Sequence, residues 1–156
     1  MKVALAGDHA GYELKQALIP YLSKQGFEVI DLGTDTADIP SDYPVFARKV
    51  ADAILSGQAE RGVLVCGSGV GVSIAANKIR GIYAGLCHDT YSAHQGVEHD
   101  DMNVLCIGAR VVGVEYAREI VSMFLHAKFT GEERHVRRVG MVHEIEREAM
   151  GAAPTK

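Results

Sequence analysis

Residues 63–78 read VLVCGSGVGVSIAANK, and this stretch decides the architecture. Val63–Cys66 is a short apolar run of strand type. Gly67, Gly69 and Gly71 follow at alternate positions, and Val72–Lys78 then reads as a helix. A strand that passes through glycines straight into a helix is one unit of an α/β fold. The same alternation recurs in both directions along the chain. Strand-length apolar runs occur at about Val3–Ala6, Phe27–Leu32, Ile82–Cys87 and Val104–Ile107. Their Val, Ile and Leu content suits strands buried on both faces. Helical spacing appears in Tyr12–Gln25, where Leu14, Ala17, Leu18, Tyr21 and Leu22 share a side, and in Tyr43–Ser56 through Phe46, Val50 and Ile54. Further helices are predicted at Asp89–Gly96, Glu115–Ala127 and Val142–Ala149. Thr34–Ser41 reads as an exposed loop. The pattern predicts a parallel sheet with helices on both faces and a ligand crevice at the carboxyl ends of the strands.

The 156 residues make one domain, expected over 1–150, with 151–156 a frayed tail. A hydrophobic content of 47% supports one core, and the net charge of -4 argues against a general nucleic-acid binder. Charged or polar residues interrupt every apolar stretch, so no membrane span is expected. Met1–Gly7 is too short for a signal-peptide core, so a cytoplasmic location is expected. Cys66, Cys87 and Cys106 form no CxxC pair and read as free thiols.

Ionisable residues gather in the predicted turns. The first strand ends in Gly7-Asp8-His9, the third in Cys66-Gly67-Ser68-Gly69-Val70-Gly71, the fourth in Cys87-His88-Asp89 and the fifth in Gly108-Ala109-Arg110; His99-Asp100-Asp101 precedes the fifth. All are expected in or near one crevice. The glycine turn suits an anionic oxygen, phosphate or enediolate, although a tight turn without ligand has the same appearance. No Lys-Ser or Lys-Thr completes a Walker pattern, and GxGxG after the third strand is not the dinucleotide fingerprint. Asp8 would put a carboxylate where a pyrophosphate should sit, so no nicotinamide cofactor is expected. Cys66 abuts the turn, where a thiol tends toward thiolate; for Cys87 and Cys106 a structural role is favoured. No histidine stands at helical ligand spacing from His99, so metal binding is not expected. Arg134 and Arg138 are four apart and would share a helix face that suits phosphate. Alone, that cluster reads as a solvated charged face beside Glu132 and Glu133.

The segments GDHAGYELK, DYP, VCGSGVGVSIAANKI, EHDDMNVLCIGARVVG and RHVRR, in this order, resemble the ribose-5-phosphate isomerase B family, which includes the galactose-6-phosphate isomerase subunits. The resemblance covers Met1 to about Arg147. It implies a Rossmann-like α/β/α sandwich with a five-stranded parallel sheet and a C-terminal helix. It implies a cofactor-independent aldose–ketose isomerase of a phosphorylated sugar, and a homodimer or a dimer-of-dimers tetramer with shared sites. Cys66 would move the proton between C1 and C2; some relatives use a glutamate where this chain has Val72. His99 would open the furanose ring. Asp8 would hold sugar hydroxyls, and Tyr43 would line the sugar pocket. His9, Arg134 and Arg138 would hold phosphate, supported by Arg110. The amides of Gly67, Ser68, Gly69, Val70 and Gly71, with the Ser68 hydroxyl, would stabilise the enediolate. The family commonly has Asn where this chain has Asp100. An amide can donate to a sugar oxygen and an ionised carboxylate cannot, which leaves a tetrose, another pentose or a hexose phosphate open. A non-catalytic sugar-phosphate binder is the reading from another class; it would need the arginines and the turn but no thiol.

Overall fold

The computed structural model describes residues 1–151. Five strands, β1 (Lys2–Gly7), β2 (Glu28–Asp31), β3 (Arg61–Cys66), β4 (Ala84–Leu86) and β5 (Val104–Gly108), form one parallel sheet in the order β2-β1-β3-β5-β4. Six helices accompany them: α1 (Tyr12–Lys24), α2 (Tyr43–Leu55), α3 (Val70–Ala76), α4 (Thr90–Asp100), α5 (Val114–His126) and α6 (Glu133–Met150). The predicted α/β sandwich is therefore present. The expected 151–156 tail lies, beyond Gly151, outside the described residues.

Alternation along the strands assigns the two faces. Val3, Leu5, Val63, Val65, Leu105 and Ile107 point to one side and pack with Leu14, Leu18 and Leu22 of α1, Val97 of α4 and Ile120 and Phe124 of α5. Ala4, Ala6, Leu64, Cys66, Val104 and Cys106 point to the other side, against Phe46 and Val50 of α2 and Val72 and Ala76 of α3. This division follows from right-handed crossovers. The chain moves one way across the sheet through α1 and α4, and the other way through α2 and α3. The chain leaves β1 toward β2 and leaves β3 the other way, toward β4, so the two exits diverge and open a crevice between them.

Beyond shifts of one or two residues at several element ends, three features differ from the sequence reading. Helix α4 runs through Gly96 to Asp100 instead of stopping at the glycine. An internal helix glycine costs only about 1 kcal/mol, and Met102 packs where a Cβ at Gly96 would stand, 3.2 Å from its sulfur. The stop comes from Asp101, which takes the left-handed conformation at φ 52°. Arg134–Arg138 and the predicted C-terminal helix belong to one helix, α6. The loop before α2 is not simply exposed: Ser41 is half-buried and bonded to His9.

Candidate active site

The exits of β1, β3 and β5 and the start of α2 enclose a cavity of about 430 Å³ lined by Asp8, His9, Ala10, Tyr43, Cys66, Gly67, Ser68, Gly71, Arg110 and Val111. It lies over the reversal point of the sheet, where ligands bind in open α/β folds. A larger cavity of about 680 Å³ lies beside Asp31, Asp35 and Asp52, away from the cysteine. The first holds the Cys66 sulfur and the converging turns, and is the candidate site.

Each wall has a local cause. Asp8 is buried, and its Oδ1 accepts from the amides of Ala10 and Gly11, both at 3.0 Å. This turn ties down one carboxylate oxygen at the mouth of β1. His9 is held reciprocally by Ser41. The His9 amide donates to Ser41 Oγ at 3.0 Å, and the Ser41 amide donates to His9 Nδ1 at 3.1 Å. An accepting Nδ1 leaves the proton on Nε2, which makes that nitrogen a donor. Nothing in the sequence marks Ser41 beyond its place before DYP. Tyr43 opens α2, and its ring lies where a Cβ at Gly71 would stand, about 3 Å away.

The glycine turn is more specialised than its spacing indicated. Gly69, at φ 78°, lets the chain turn from β3 into α3. Its amide donates to Cys66 Sγ at 3.1 Å. The Val70 amide donates to Ser68 Oγ at 3.3 Å. The helical ladder begins only at Ser73, whose amide reaches Gly69 O, so the amides ahead of it stand outside the ladder. Two of the five expected amide donors are thus committed within the turn, and Gly67, Ser68 and Gly71 remain on the cavity wall. Arg110 stands beside them: a Cβ at Gly67 would lie 3.6 Å from its Cδ and Cζ. Val72 is fully buried and apolar.

The other two cysteines face away from chemistry. Burial pushes the Cys87 thiol up to about 11, with Asp89 adding to the shift. Cys106 is wholly buried and is pushed further up, first by burial and then by Cys66 and Cys87.

The expectation of a single crevice fails for His99 and Asp100, which stand instead near Arg134 and Arg138. Helix α4 returns from the carboxyl edge of the sheet to the amino edge, so His99 and Asp100 stand just ahead of β5 rather than beyond it. The length of β5, about 13 Å at strand rise, separates the two edges. There a second cluster forms. The His99 and His135 rings stack with centroids 4.1 Å apart. Gln95 Nε2 lies 2.9 Å from His99 Nδ1 and donates to Asp100 Oδ2 at 3.3 Å. His135 is buried, with its Nδ1 2.8 Å from Thr130 Oγ1. Burial is the main cause that lowers its pKa, and the His99, Arg134 and Arg138 charges add to it against Glu132. Arg134 and Arg138 are both exposed on α6, and Arg134 Nε donates to Glu132 at 2.9 Å.

Comparison with known proteins identifies the family of the chain. Residues 3–142 match the family model described as Ribose/Galactose Isomerase. The chain is 46% identical to ribose-5-phosphate isomerase B of Escherichia coli (strain K12), over 93% of this chain and 96% of that one. It is 40% identical to D-erythrulose-4-phosphate isomerase of Pectobacterium atrosepticum, over 84% of this chain and 86% of that one. Among solved structures, ribose-5-phosphate isomerase B of Clostridium thermocellum superposes with a TM-score of 0.92 at 47% identity, covering 96% of this chain and 99% of that one. With a family match across most of its length and relatives this similar from end to end, the chain belongs to the ribose/galactose isomerase family.

Proposed function

We propose that the protein interconverts ribose 5-phosphate and ribulose 5-phosphate through a cis-enediolate, with Cys66 as the base. The observation that carries this reading is the Cys66 sulfur on the wall of a cavity that also presents Asp8, His9, Tyr43, Ser68 and Arg110. The Cys66 thiolate takes the proton from C2. The electron pair of that C–H bond forms the C1–C2 double bond, and the carbonyl pair passes to O1. The proton then returns to C1 while the C2 hydroxyl gives its proton to O1 and becomes the carbonyl. One hydrogen moves between carbons and one between oxygens, so no external oxidant or reductant is needed. The Ser68 hydroxyl and the amides of Gly67 and Gly71 face the developing oxyanion. Asp8 holds sugar hydroxyls, and the His9 Nε2–H donates to phosphate.

Ring opening by His99, and phosphate binding by Arg134 and Arg138, require a second chain. Within one chain these residues stand at the opposite edge of the sheet from Cys66. A two-fold homodimer brings the amino-edge cluster of one subunit to the carboxyl-edge cavity of the other, twice over. Exposed Val136, Met141, Val142 and Ile145 on α6 supply apolar surface suited to such a contact. A tetramer would pair two such dimers. No described helix is long and apolar enough to cross a membrane. The three free, buried thiols suit the cytoplasm.

A second substrate reading rests on Asp100. Its carboxylate stands exposed beside His99 and accepts from Gln95. A carboxylate reaching the partner's cavity would accept from a sugar hydroxyl rather than donate to it. A tetrose 4-phosphate, or an allose or galactose 6-phosphate, is then the alternative substrate. The test is ketose formation from a panel of these aldose phosphates. The greatest kcat/KM is expected for ribose 5-phosphate, and a higher value for a tetrose or hexose phosphate would replace that assignment. Asp100→Asn is expected to change the ranking across the panel. An unchanged ranking would remove Asp100 from specificity, and absence of turnover on every sugar would leave a binding protein.

A further inference from the structure

Strand β4 ends at Leu86, while its neighbour β5 continues to Gly108. The last backbone rung between them runs from the Cys87 amide to Cys106 O at 3.2 Å. Beyond it the chain leaves the sheet for Asp89, the N-cap of α4. The Gly108 amide, two residues further along β5, therefore needs another acceptor. The His88 imidazole provides one: Gly108 N–H donates to His88 Nε2 at 2.9 Å. An accepting Nε2 fixes the neutral ring with its proton on Nδ1.

This side-chain rung stands directly behind the reactive turn. A Cβ at Gly108 would lie 2.6 Å from Ser68 C and O. One at Gly69 would lie 2.9 Å from Ile107 C and 3.0 Å from Gly108 N. The two backbones therefore touch with no side chain between them. The next two residues continue the linkage. The Ala109 amide donates to Cys66 O at 2.8 Å, and the Arg110 amide donates to Gly67 O at 3.0 Å. Any shift of Gly108 is passed to the turn, to the carbonyl of the base, and to Arg110.

We propose that His88 is a positioning residue for the isomerisation: its ring, as hydrogen-bond acceptor, holds Gly108 against the Ser68–Gly69 turn and so fixes the cavity wall that receives the enediolate oxygen. The inference rests on the isomerase reading above. Displacing a transition-state donor by about 1 Å costs on the order of 10²-fold. His88→Leu, which keeps bulk but removes the acceptor, should lower kcat roughly 10- to 100-fold with little change in KM. His88→Gln places an amide oxygen near the position of Nε2 and should recover most of that loss. The wild-type protein gives an independent readout. Nitrogen-15 NMR of histidine-labelled protein should show His88 protonated on Nδ1 and bare on Nε2, whatever the substrate. Wild-type kcat in His88→Leu would overturn the proposal, as would a Gln variant as slow as the Leu variant or a proton found on Nε2. Failure of the isomerase reading has a different signature: no turnover by the wild type, with the His88 tautomer unchanged.

Discussion

The two ends of strand β5 solve different problems with different materials. At the carboxyl end the site is built from backbone and short side chains: the Gly67–Gly71 turn, the Asp8 turn, and Cys66 with its sulfur held by the Gly69 amide. At the amino end the functional groups ride on helices: His99 and Asp100 on α4, Arg134 and Arg138 on α6. In the proposed function the first region needs sub-ångström placement of a proton-transfer atom, which strand-to-helix turns locked by close backbone packing provide. The second binds charge, and exposed guanidinium groups on a helix face tolerate looser placement. Under the proposed function, proton transfer belongs to the carboxyl edge and ring opening to the amino edge, while phosphate is shared between His9 at the first and Arg134 and Arg138 at the second.

The largest expected effect tests the carboxyl edge. Cys66→Ala should lower turnover by roughly 10²- to 10⁴-fold, the usual contribution of a general base. Binding of a phosphorylated sugar should stay near normal, because the sulfur acts in the transition state. Steady-state kinetics with a separate binding titration checks this. Near-normal turnover would remove the sulfur from the mechanism and pass the role of base to Asp8 or His9 of the same cavity, since Val72 has no titratable group.

The next experiment joins the two edges. Cys66→Ala and His99→Ala proteins, each inactive alone, are mixed after reversible dissociation. In a mixed dimer one site carries both lesions and the other carries neither. Random pairing makes about half the dimers mixed, so roughly a quarter of wild-type activity should return. Confirmed exchange without recovered activity would place both residues in one chain's site and break the division of labour.

How much of this was legible beforehand follows the same line. Strand and helix identities could be read because the buried strands are apolar and the helices periodic. The carboxyl-edge residues could be read because Asp8, Cys66 and Arg110 stand at or just past strand ends. His99 was misplaced because a glycine inside α4 resembles a helix end, while the true stop, Asp101 in the left-handed conformation, carries no glycine signal. The extent of α6 was hidden by its charged sequence and by Gly140. The strand order also had no local signal: β5 inserts between β3 and β4 through long-range packing alone. Ser41 and His88 act by hydrogen bonds across the fold, which no spacing rule reports.

A smaller effect is expected from the amino edge alone. Arg138→Ala should raise KM for the phosphorylated sugar by on the order of 10- to 100-fold, the scale of a lost charge-assisted hydrogen bond. The unphosphorylated sugar should be unaffected, and kcat should fall little. Equal changes for both sugars would make Arg138 a solvated surface charge and leave phosphate to His9 and Arg110.

The smallest effect concerns stability at the amino edge. His135 lies buried under the His99 ring, with Arg134 and Arg138 nearby, and its pKa is lowered from 6.5, chiefly by burial and then by the His99 charge. A histidine with a depressed folded-state pKa stays neutral in the fold while the unfolded chain takes up a proton first. Its contribution to stability is therefore complete above the unfolded value of 6.5 and declines as pH falls below it. Urea unfolding should give a lower midpoint at about pH 5.5 than at about pH 7.5. His135→Gln should flatten that difference, because a neutral amide has no proton to gain. Carboxylate titration should add little in this window, since ordinary Asp and Glu values lie near 4. An equal slope in the Gln variant would shift the acid sensitivity to another histidine. The two edges would then differ in chemistry but not in their response to pH.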